Sequence, residues 1–349
     1  MFDYLIYIGR FQPVHKGHIH VIREALKKAK TLILFIGSHQ KARDIRNPWT
    51  TEERIDFIKA SLNPDEVARI KFIPQFDYTY NDDRWIAAIQ SAVNAVVYEK
   101  YSAGPIKIGL VGYDKDHSTY YLKKFPQWKF IPIEPDPNLK WMNATKFRRE
   151  YFDETKVGPH YTWHDFVTFS VMLKLTAFKL TREYTRLEEE FDIVEKYQAS
   201  WKNSPYPPTF VTVDAVVRQS GHLLLIQRGP NTIGSGLWAL PGGFVKEGLS
   251  LEESMIEELY EETGLKVPKP VIKGSIHGRR TFDDPHRSVR GRTITETFDV
   301  RLSEAFELPK VKGGDDAAKA FWLPFSEVER NRHEFFEDHF SILQSIIGL

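Results

Sequence analysis

Residues 9–18 read Gly9-Arg10-Phe11-Gln12-Pro13-Val14-His15-Lys16-Gly17-His18, and this stretch decides the fold of the first half of the chain. It follows an apolar run at residues 4–8 and precedes residues 19–29, whose apolar positions recur with helical spacing. A glycine-bearing turn between a first strand and a first helix is where open α/β sheets bind phosphates, because backbone N–H groups and the positive end of the helix dipole face the anion. The two histidines add imidazole donors there, so the sequence predicts a polyphosphate site.

Further apolar runs alternate with helical patterns over the first 155 residues. The runs predict strands at residues 31–36, 70–74, 106–112 and 128–133, and helices that open near Thr50 and Asp83. Strands that alternate with helices form a parallel, doubly wound sheet whose ligands bind outside the carboxyl ends of the strands. We therefore predict an α/β, Rossmann-like N-terminal domain over residues 1–155.

The opening stretch resembles the signature GxFxPxHxGH of the HxGH nucleotidyltransferases and meets every specified position. The resemblance implies adenylyl transfer, in which a phosphate takes AMP from ATP and releases pyrophosphate, normally with Mg²⁺. Residues 143–148 resemble the second signature of that family, Ser/Thr-x-Thr-x-x-Arg at a helix start, with Asn143 where serine is commoner. There the resemblance implies that Thr145 and Arg148 neutralise the β- and γ-phosphates of ATP.

Within that family the chain is most similar to nicotinamide mononucleotide (NMN) adenylyltransferases of the archaeal-like type. The similarity rests on Gly37-Ser38, on residues 47–54 and on residues 111–116. It implies that Trp85 stacks on the cationic nicotinamide ring, a favourable cation–π pair. It also implies catalytic roles for His15, His18 and Arg148. Residues expected to bind ATP or NMN are Gly9, Arg10, Phe11, Gln12, Lys16, Gly37, Asn47, Trp49, Arg54, Trp85, Gly112, Tyr113, Lys115, Asn143 and Thr145.

Composition limits the classes of function. The 349 residues predict two domains, and the formal net charge of +1 gives no global signal for nucleic acid or a membrane surface. The chain has no cysteine, which excludes disulfides, thiolate metal sites and a cysteine nucleophile. The sequence shows no export signal and no apolar run of membrane-spanning length, so we expect a cytoplasmic protein. A homo-oligomer is left open.

Residues 156–204 carry none of this chemistry. Residues 163–199 contain no Gly or Pro and place apolar residues at helical spacing, which predicts one long helix or two shorter ones. The spacing is not heptad, which disfavours a regulatory coiled coil. A proline-rich segment at residues 203–208 ends the run. We predict a helical connector over 156–204 and a second domain over 205–349.

The second domain opens with two apolar runs joined at Ser220-Gly221, a pattern typical of a hairpin. Gly242-Gly243 and a predicted helix at residues 250–263 follow. This segment resembles the Nudix hydrolases, whose box reads G-x5-E-x7-R-E-U-x-E-E-x-G-U with U aliphatic, and it implies their α+β fold. Counted from Gly243, the box places glutamates at Glu258, Glu261 and Glu262.

These three glutamates lie at i, i+3 and i+4 and therefore share one helix face. Like charges packed there are unfavourable unless a cation lies between them, and carboxylate oxygens suit Mg²⁺. We predict that all three are catalytic and bind Mg²⁺, with Mn²⁺ as an alternative. Two positions depart from the box. Leu249 replaces a glutamate, and Glu257 replaces the arginine that orients a metal-binding carboxylate.

An arginine-rich loop follows, with Arg287, Arg290 and Arg292 expected to bind a diphosphate. The loop is similar to the ADP-ribose pyrophosphatase branch that is fused to NMN adenylyltransferases. Asp315 and Asp316 either add a carboxylate near the metal or form a turn.

These patterns together predict a bifunctional enzyme of NAD metabolism. It would make NAD and pyrophosphate from NMN and ATP, and it would hydrolyse ADP-ribose to AMP and ribose 5-phosphate. Two alternatives remain open. Leu249 and Glu257 could mark a Nudix domain that senses ADP-ribose or NAD without cleaving it, and the acceptor could be another phosphate such as phosphopantetheine.

Overall fold

The computed structural model describes residues 1–99, 105–112, 117–139, 142–153, 155 and 162–348. The chain forms two compact units, Met1–Glu188 and Glu189–Leu349, here called unit 1 and unit 2. The division falls within the predicted connector, and the finer limits 1–155, 156–204 and 205–349 stay predictions. The candidate site residues Tyr113 and Lys115 lie outside the described residues.

Unit 1 is built on a parallel sheet. Its strands are β1 (Phe2–Gly9), β2 (Ala29–Ile36), β3 (Ile70–Pro74), β4 (Ile108–Gly112) and β5 (Lys129–Pro132). They pair in the order β3-β2-β1-β4-β5, which confirms the predicted doubly wound sheet. The central strand β1 pairs with β2 on one side and β4 on the other. The turns that follow these three strands therefore lie at one edge of the sheet.

Helices cover this sheet. They are α1 (Lys16–Lys28), α2 (Thr51–Ala60), α3 (Pro64–Ala68), α4 (Asp82–Tyr98) and α5 (Ala144–Phe152), with 3-10 turns at His117–Lys123 and Pro137–Leu139. One apolar core packs the sheet residues Ile6, Phe35 and Leu110 against Ile89 and Val93 of α4. The order of strands and helices follows the sequence prediction except for α3, which was not predicted, and the fourth strand starts two residues later than expected.

The described part of the predicted connector forms three helical segments, where one or two were expected. They are α6 (Trp163–Phe166), α7 (Phe169–Phe178) and α8 (Arg182–Ser200). Thr181 causes the break between α7 and α8, because its hydroxyl donates to the Phe178 carbonyl and accepts the Tyr184 N–H. A threonine that caps the next helix ends the preceding one, even where neither Gly nor Pro is present.

Unit 2 contains a mixed sheet. Its strands are β6 (Thr209–Gln219), β7 (His222–Arg228), β8 (Trp238–Ala239), β9 (Gly242–Phe244), β10 (Ile276–Phe282), β11 (Arg292–Arg301) and β12 (Ala317–Pro324). The order is β10-β11-β6-β7-β12, with β9 on β6 and β8 on β7. Strands β6 and β11 are parallel and the other pairs antiparallel. The helices are α9 (Leu251–Thr263), α10 (Lys269–Gly274), α11 (Phe325–Val328) and α12 (His339–Ile347).

Local sequence explains the hairpin and the main helix of unit 2. Ser220 and Gly221 both have positive φ, 45° and 74°, as a type I′ turn requires, so the predicted hairpin is confirmed. Met255, Ile256 and Leu259 of α9 pack into the core of the unit. Among the described residues, none of the helices has the length and apolar character that crossing a bilayer demands.

Candidate active sites

The turn after β1 directs Phe11 and Gln12 into the protein interior. Phe11 has φ of 54° and is 1% exposed, and its ring lies so close to Gly9 that a Cβ there would be 2.8 Å from the ring. Gln12 donates through Nε2 to the Trp49 carbonyl at 2.8 Å and accepts the Trp49 N–H at 3.2 Å. All three side chains are buried. In this structure Phe11, Gln12 and Trp49 therefore hold the shape of the turn through protein contacts.

His15 and His18 cap α1 reciprocally. The His18 N–H donates to His15 Nδ1 at 3.3 Å, and the His15 N–H donates to His18 Nδ1 at 3.2 Å. The two rings stack with centroids 3.6 Å apart. Gly17 makes room for this arrangement, because a Cβ there would be 3.1 Å from the His15 ring. The motif is thus a capping box made of imidazoles.

This cap fixes the protonation of both rings. Each Nδ1 accepts a backbone N–H, so each neutral ring carries its proton on Nε2. Burial lowers the pKa of His18 well below its ordinary value, and the neighbouring His15 lowers it further. The turn therefore presents imidazole Nε2–H donors beside the amino end of a helix, which suits an anion.

Arg54 lies 1% exposed between the turns that follow β1 and β2. Its Nη1 donates to the Arg10 and Gly37 carbonyls at 2.5 and 2.6 Å, and its Nη2 donates to the Ser38 carbonyl at 3.2 Å. Burial lowers its pKa to about 10. The guanidinium therefore joins two loops of the site and uses its donors on protein carbonyls.

Arg148 and Thr145 sit at the start of α5. Arg148 Nη1 donates to the Gln12 carbonyl at 2.6 Å, and its Nη2 donates to Thr145 Oγ1 at 3.3 Å. The pKa of Arg148 is lowered to about 10, mainly by burial and in part by the nearby positive charge of Arg10. Asn143 caps the helix, accepting the Thr145 N–H at 2.7 Å. The second signature thus meets the first at the β1 turn.

Other predicted residues take different positions. Lys16 Nζ donates to the Asp165 carbonyl on α6 at 2.8 Å. Asn47 is 4% exposed and donates through Nδ2 to Asp44, while its Oδ1 accepts no hydrogen bond from the described residues. Gly37 donates its N–H to the Gly9 carbonyl, and Gly112 accepts the N–H of Ile133.

Trp85 lies on α4, half-buried, with its ring near Tyr121 and Phe125 at centroid distances of 6.2 and 5.8 Å. One side of the indole therefore packs on the core of unit 1. Sequence reasoning missed Arg46, which acts electrostatically on Arg148 together with Asp44. No motif marked Arg46; the only signal was its place just before the 47–54 stretch.

In unit 2, sequence determines both ends of α9. Ser250 caps its start and forms a capping box with Glu253, and Gly264 ends it with φ of 55°. Glu258 and Glu262 point to the Gly242-Gly243 strand. The Gly242 N–H donates to Glu262 Oε2 at 2.8 Å, and a Cβ on Gly243 would be 2.4 Å from Glu258 Oε2. The second glycine is therefore needed for the carboxylate to approach.

The pKa of Glu262 is raised to about 8, mainly by burial and in part by the negative charges of Glu258 and Asp214, while the Gly242 N–H and Arg228 oppose the rise. Burial also raises the pKa of Glu258. Lys246, which sequence reasoning missed, places Nζ 2.5 Å from Glu261 Oε2 and 3.4 Å from Glu258 Oε1. The carboxylates on this face therefore repel one another, and a bound cation would stabilise their ionised forms.

The three glutamates suit a hard divalent cation, because their ligand atoms are all carboxylate oxygens. The raised pKa values of Glu258 and Glu262 indicate that their ionised forms are unfavourable without such a cation. In the part of the chain that the structure describes, no three His, Asp or Glu side chains converge closely enough to hold a metal as they are. These residues therefore suit a metal ion by ligand type and charge, and their carboxylates would have to rotate to coordinate it.

The two departures from the box differ in their surroundings. Leu249 is 38% exposed in the loop before α9. Glu257 pairs with Lys269 of α10. The acid at the arginine position thus has a cationic partner of its own.

The predicted arginines of unit 2 are all engaged with acids. Arg287 is buried in a two-bond pair with Asp338, both bonds 3.0 Å long. Burial would lower the pKa of Arg287, but Asp338 raises it above its ordinary value. Arg290 lies 3.8 Å from Glu337, and Arg292 lies 3.7 Å from Asp283. In this structure Arg287 is therefore buried inside the protein and does not face solvent.

Comparison with known proteins agrees with this division into two sites. A cytidylyltransferase-like family model matches residues 6–106 and a NUDIX domain model matches residues 208–345. The nicotinamide/nicotinic acid mononucleotide adenylyltransferase of Acinetobacter baylyi is 40% identical over 153 residues, which are 44% of this chain and 77% of the relative. The ADP-ribose pyrophosphatase of Methanocaldococcus jannaschii is 38% identical over 120 residues, 34% of this chain and 64% of the relative.

A solved structure matches the whole chain. It is a bifunctional NMN adenylyltransferase/ADP ribose pyrophosphatase from Francisella tularensis, complexed with AMP and a manganese ion. It aligns with a TM-score of 0.89 at 32% identity and covers 100% of this chain and 99% of that one. These likenesses do not favour a phosphopantetheine acceptor or a non-cleaving sensor. The chain therefore belongs to the family of bifunctional NMN adenylyltransferase/ADP-ribose pyrophosphatases, as its two signatures predict.

Proposed function

We propose that unit 1 transfers AMP from ATP to the 5′-phosphate of NMN, giving NAD and pyrophosphate. The observation that carries this proposal is the reciprocal cap of His15 and His18, which directs Nε2–H donors from the phosphate-binding turn. The name of the Acinetobacter relative supports the choice of acceptor. We further propose that unit 2 hydrolyses ADP-ribose to AMP and ribose 5-phosphate, as the names of the Methanocaldococcus and Francisella proteins suggest.

The transfer needs no covalent intermediate with the protein. An oxygen of the NMN phosphate attacks the α-phosphorus of ATP, and the bond from that phosphorus to the bridging oxygen breaks. The electron pair leaves with pyrophosphate. Catalysis is then positioning and charge stabilisation, which neutral imidazole donors and the amino end of α1 supply at the phosphates. Mg²⁺ is proposed to accompany ATP.

The buried guanidinium of Arg148 fits this role. Its lowered pKa reflects a cation held in a buried place beside Arg10, and a polyphosphate would relieve that unfavourable charge. We assign Arg148 and Thr145 to the departing pyrophosphate, and Lys16 to the same group after it leaves the Asp165 carbonyl. Trp85 is assigned to the nicotinamide ring through its exposed side.

Arg54, Gln12 and Trp49 are proposed to act as positioning residues. The side chains of Arg54 and Gln12 bond to loop backbone atoms, that of Gln12 to the backbone of Trp49, and all three residues are at most 3% exposed. They therefore set the spacing between the β1 and β2 turns, into which the nucleotide must fit.

In unit 2, Glu258, Glu261 and Glu262 are proposed to hold a divalent cation, Mg²⁺ or alternatively Mn²⁺. When bound, such a cation polarises the diphosphate and lowers the pKa of water. One of these glutamates accepts the proton of the attacking water, for which a raised pKa is suited. Arg290 and Arg292, more accessible than Arg287, are assigned to the diphosphate.

Product analysis with the full chain tests both halves. With NMN, ATP and Mg²⁺ we expect NAD and pyrophosphate, and with ADP-ribose and Mn²⁺ we expect AMP and ribose 5-phosphate. His15→Asn should lose the first reaction and keep the second, and Glu262→Gln should do the reverse. Adenylylation of phosphopantetheine in preference to NMN would overturn the acceptor. ADP-ribose that binds and is recovered intact would overturn the hydrolase.

A further inference from the structure

The acidic face of α9 has a cation of its own. Lys246 Nζ lies 2.5 Å from Glu261 Oε2 and 3.4 Å from Glu258 Oε1, so one ammonium bridges two of the three box glutamates. The lysine side chain is 34% exposed. It therefore meets both protein oxygens and solvent, as a displaceable counter-ion would.

The backbone directs Lys246 to this position. Its N–H donates to the hydroxyl of Ser254, a fully buried residue of α9, at 3.2 Å. The preceding Val245 N–H donates to the Val211 carbonyl of β6 at 3.1 Å. The loop is thus tied to both the helix and the sheet, and only the flexible lysine stem is left to move.

The Nudix signature locates its cation differently. In that box an arginine occupies position 257, on the helix itself, where this chain has Glu257 paired with Lys269. Positive charge next to Glu258 and Glu261 therefore comes from Lys246 in the loop. An ammonium on a four-carbon stem is a mobile point charge, whereas a guanidinium fixes a carboxylate through two bonds.

We propose that Lys246 is a built-in counter-ion that a divalent cation must displace from Glu258 and Glu261 when it binds. This inference rests on the proposed metal-binding role of the box glutamates. The lysine contacts Glu258 and Glu261, and a divalent cation would be held by these same two carboxylates. Once a divalent ion is bound, the nearby ammonium repels it and must swing into solvent.

Lys246 has opposite effects in the metal-free and the metal-bound protein. Without metal, Lys246 relieves repulsion among the carboxylates and stabilises unit 2. With metal, it weakens binding, because removing a like charge beside a cation site strengthens that site. For a partly exposed lysine in contact with two ligands, we expect loss of the ammonium to tighten metal binding about tenfold.

The experiment compares Lys246→Met with wild type in the full chain, using Mn²⁺ as the probe and measuring its dissociation constant by electron paramagnetic resonance. We expect Lys246→Met to bind Mn²⁺ about tenfold more tightly, and to melt at a lower temperature in EDTA but not with saturating Mn²⁺. Lys246→Arg keeps the positive charge and should bind Mn²⁺ no more tightly than wild type. Lys269→Met, which removes the lysine of α10 that pairs with Glu257 of α9, is the matched control and should leave the Mn²⁺ dissociation constant within about twofold.

A dissociation constant for Lys246→Met that equals or exceeds that of wild type would overturn the inference. Should that variant not fold, Lys246→Gln makes the same comparison. Glu262→Gln tests the metal site itself, independently of the role of Lys246. If it leaves Mn²⁺ binding unchanged, the carboxylate site itself fails, and the proposed function of unit 2 fails with it.

Discussion

Replacing His15 with asparagine separates the structural role of the motif from its chemical role. His15 does two things: its Nδ1 accepts the His18 N–H, and its ring carries the Nε2–H. Asparagine is among the best N-cap residues, and its side-chain oxygen can accept the same backbone N–H. His15→Asn therefore keeps the cap and removes the imidazole donor. His15→Ala, the companion variant, removes both.

The magnitudes follow from these contacts. Loss of an N-cap costs about 1 kcal/mol of stability, so His15→Ala should lower the free energy of unfolding by about that amount, and His15→Asn by a few tenths. Loss of one donor to a developing charge costs about 2.7–4 kcal/mol of barrier, or 10²–10³ in kcat. Both variants should lose NAD synthesis by that factor.

The assay follows NAD formation from NMN and ATP, with thermal unfolding measured in parallel. ADP-ribose hydrolysis by the same preparations is the internal control and should not change. If His15→Asn keeps more than about a third of the wild-type kcat while His15→Ala loses it, the ring serves only as a cap. The account of phosphate binding by this turn would then be refuted.

Three further outcomes are expected. Arg54→Lys should cost about 2–4 kcal/mol, because one ammonium cannot serve the Arg10, Gly37 and Ser38 carbonyls together; urea unfolding measures this, and a loss under 1 kcal/mol would contradict it. The free energy of unfolding should decrease as pH drops below about 6.5, because His18 is protonated in the unfolded chain but stays neutral in the folded one, where its pKa is lowered. Urea titrations at pH 7.5 and 5.5 measure this decrease, which should be smaller in His18→Gln. Glu262 has a folded pKa of about 8, so wild type without metal should gain stability, relative to Glu262→Gln, as pH falls from 8 toward 4.5; equal slopes for the two proteins would refute that shift.

The parts of the structure that sequence predicted are those set by local spacing. The apolar run, glycine turn and helix around His15 fixed the start of the sheet, and alternation of strands with helices predicted its parallel order. The i, i+3, i+4 spacing placed Glu258, Glu261 and Glu262 on one face of α9. Each of these predictions needs only the geometry of one helix or one strand–turn–helix unit.

The rest depends on partners far apart in the chain. Lys16 was expected at the phosphates, yet its amine donates to a carbonyl 149 residues away. Arg287 was expected to face the substrate, yet it pairs with Asp338, 51 residues away, at an end of the chain that no motif marked. A cationic side chain in a loop has the same sequence signal whether it meets a ligand, a carboxylate or a carbonyl. Only the folded chain distinguishes these cases.

The pKa shifts of the two sites support one electrostatic argument. In unit 1, burial disfavours the charged form of Arg148, and in unit 2 it disfavours the charged form of Glu262. Each group is held in a place where its own charge is unfavourable, and neither position is explained by packing alone. A polyphosphate would offset the unfavourable buried charge of Arg148, and a divalent cation would restore the ionised form of Glu262, so each ligand would gain binding energy from its site. Arg54 shows the same lowered pKa, but three acids, Asp77, Glu52 and Glu53, offset its charge, whereas the largest charge acting on Arg148 is the like charge of Arg10. Of these two buried arginines, Arg148 is therefore the one that a polyphosphate would stabilise more.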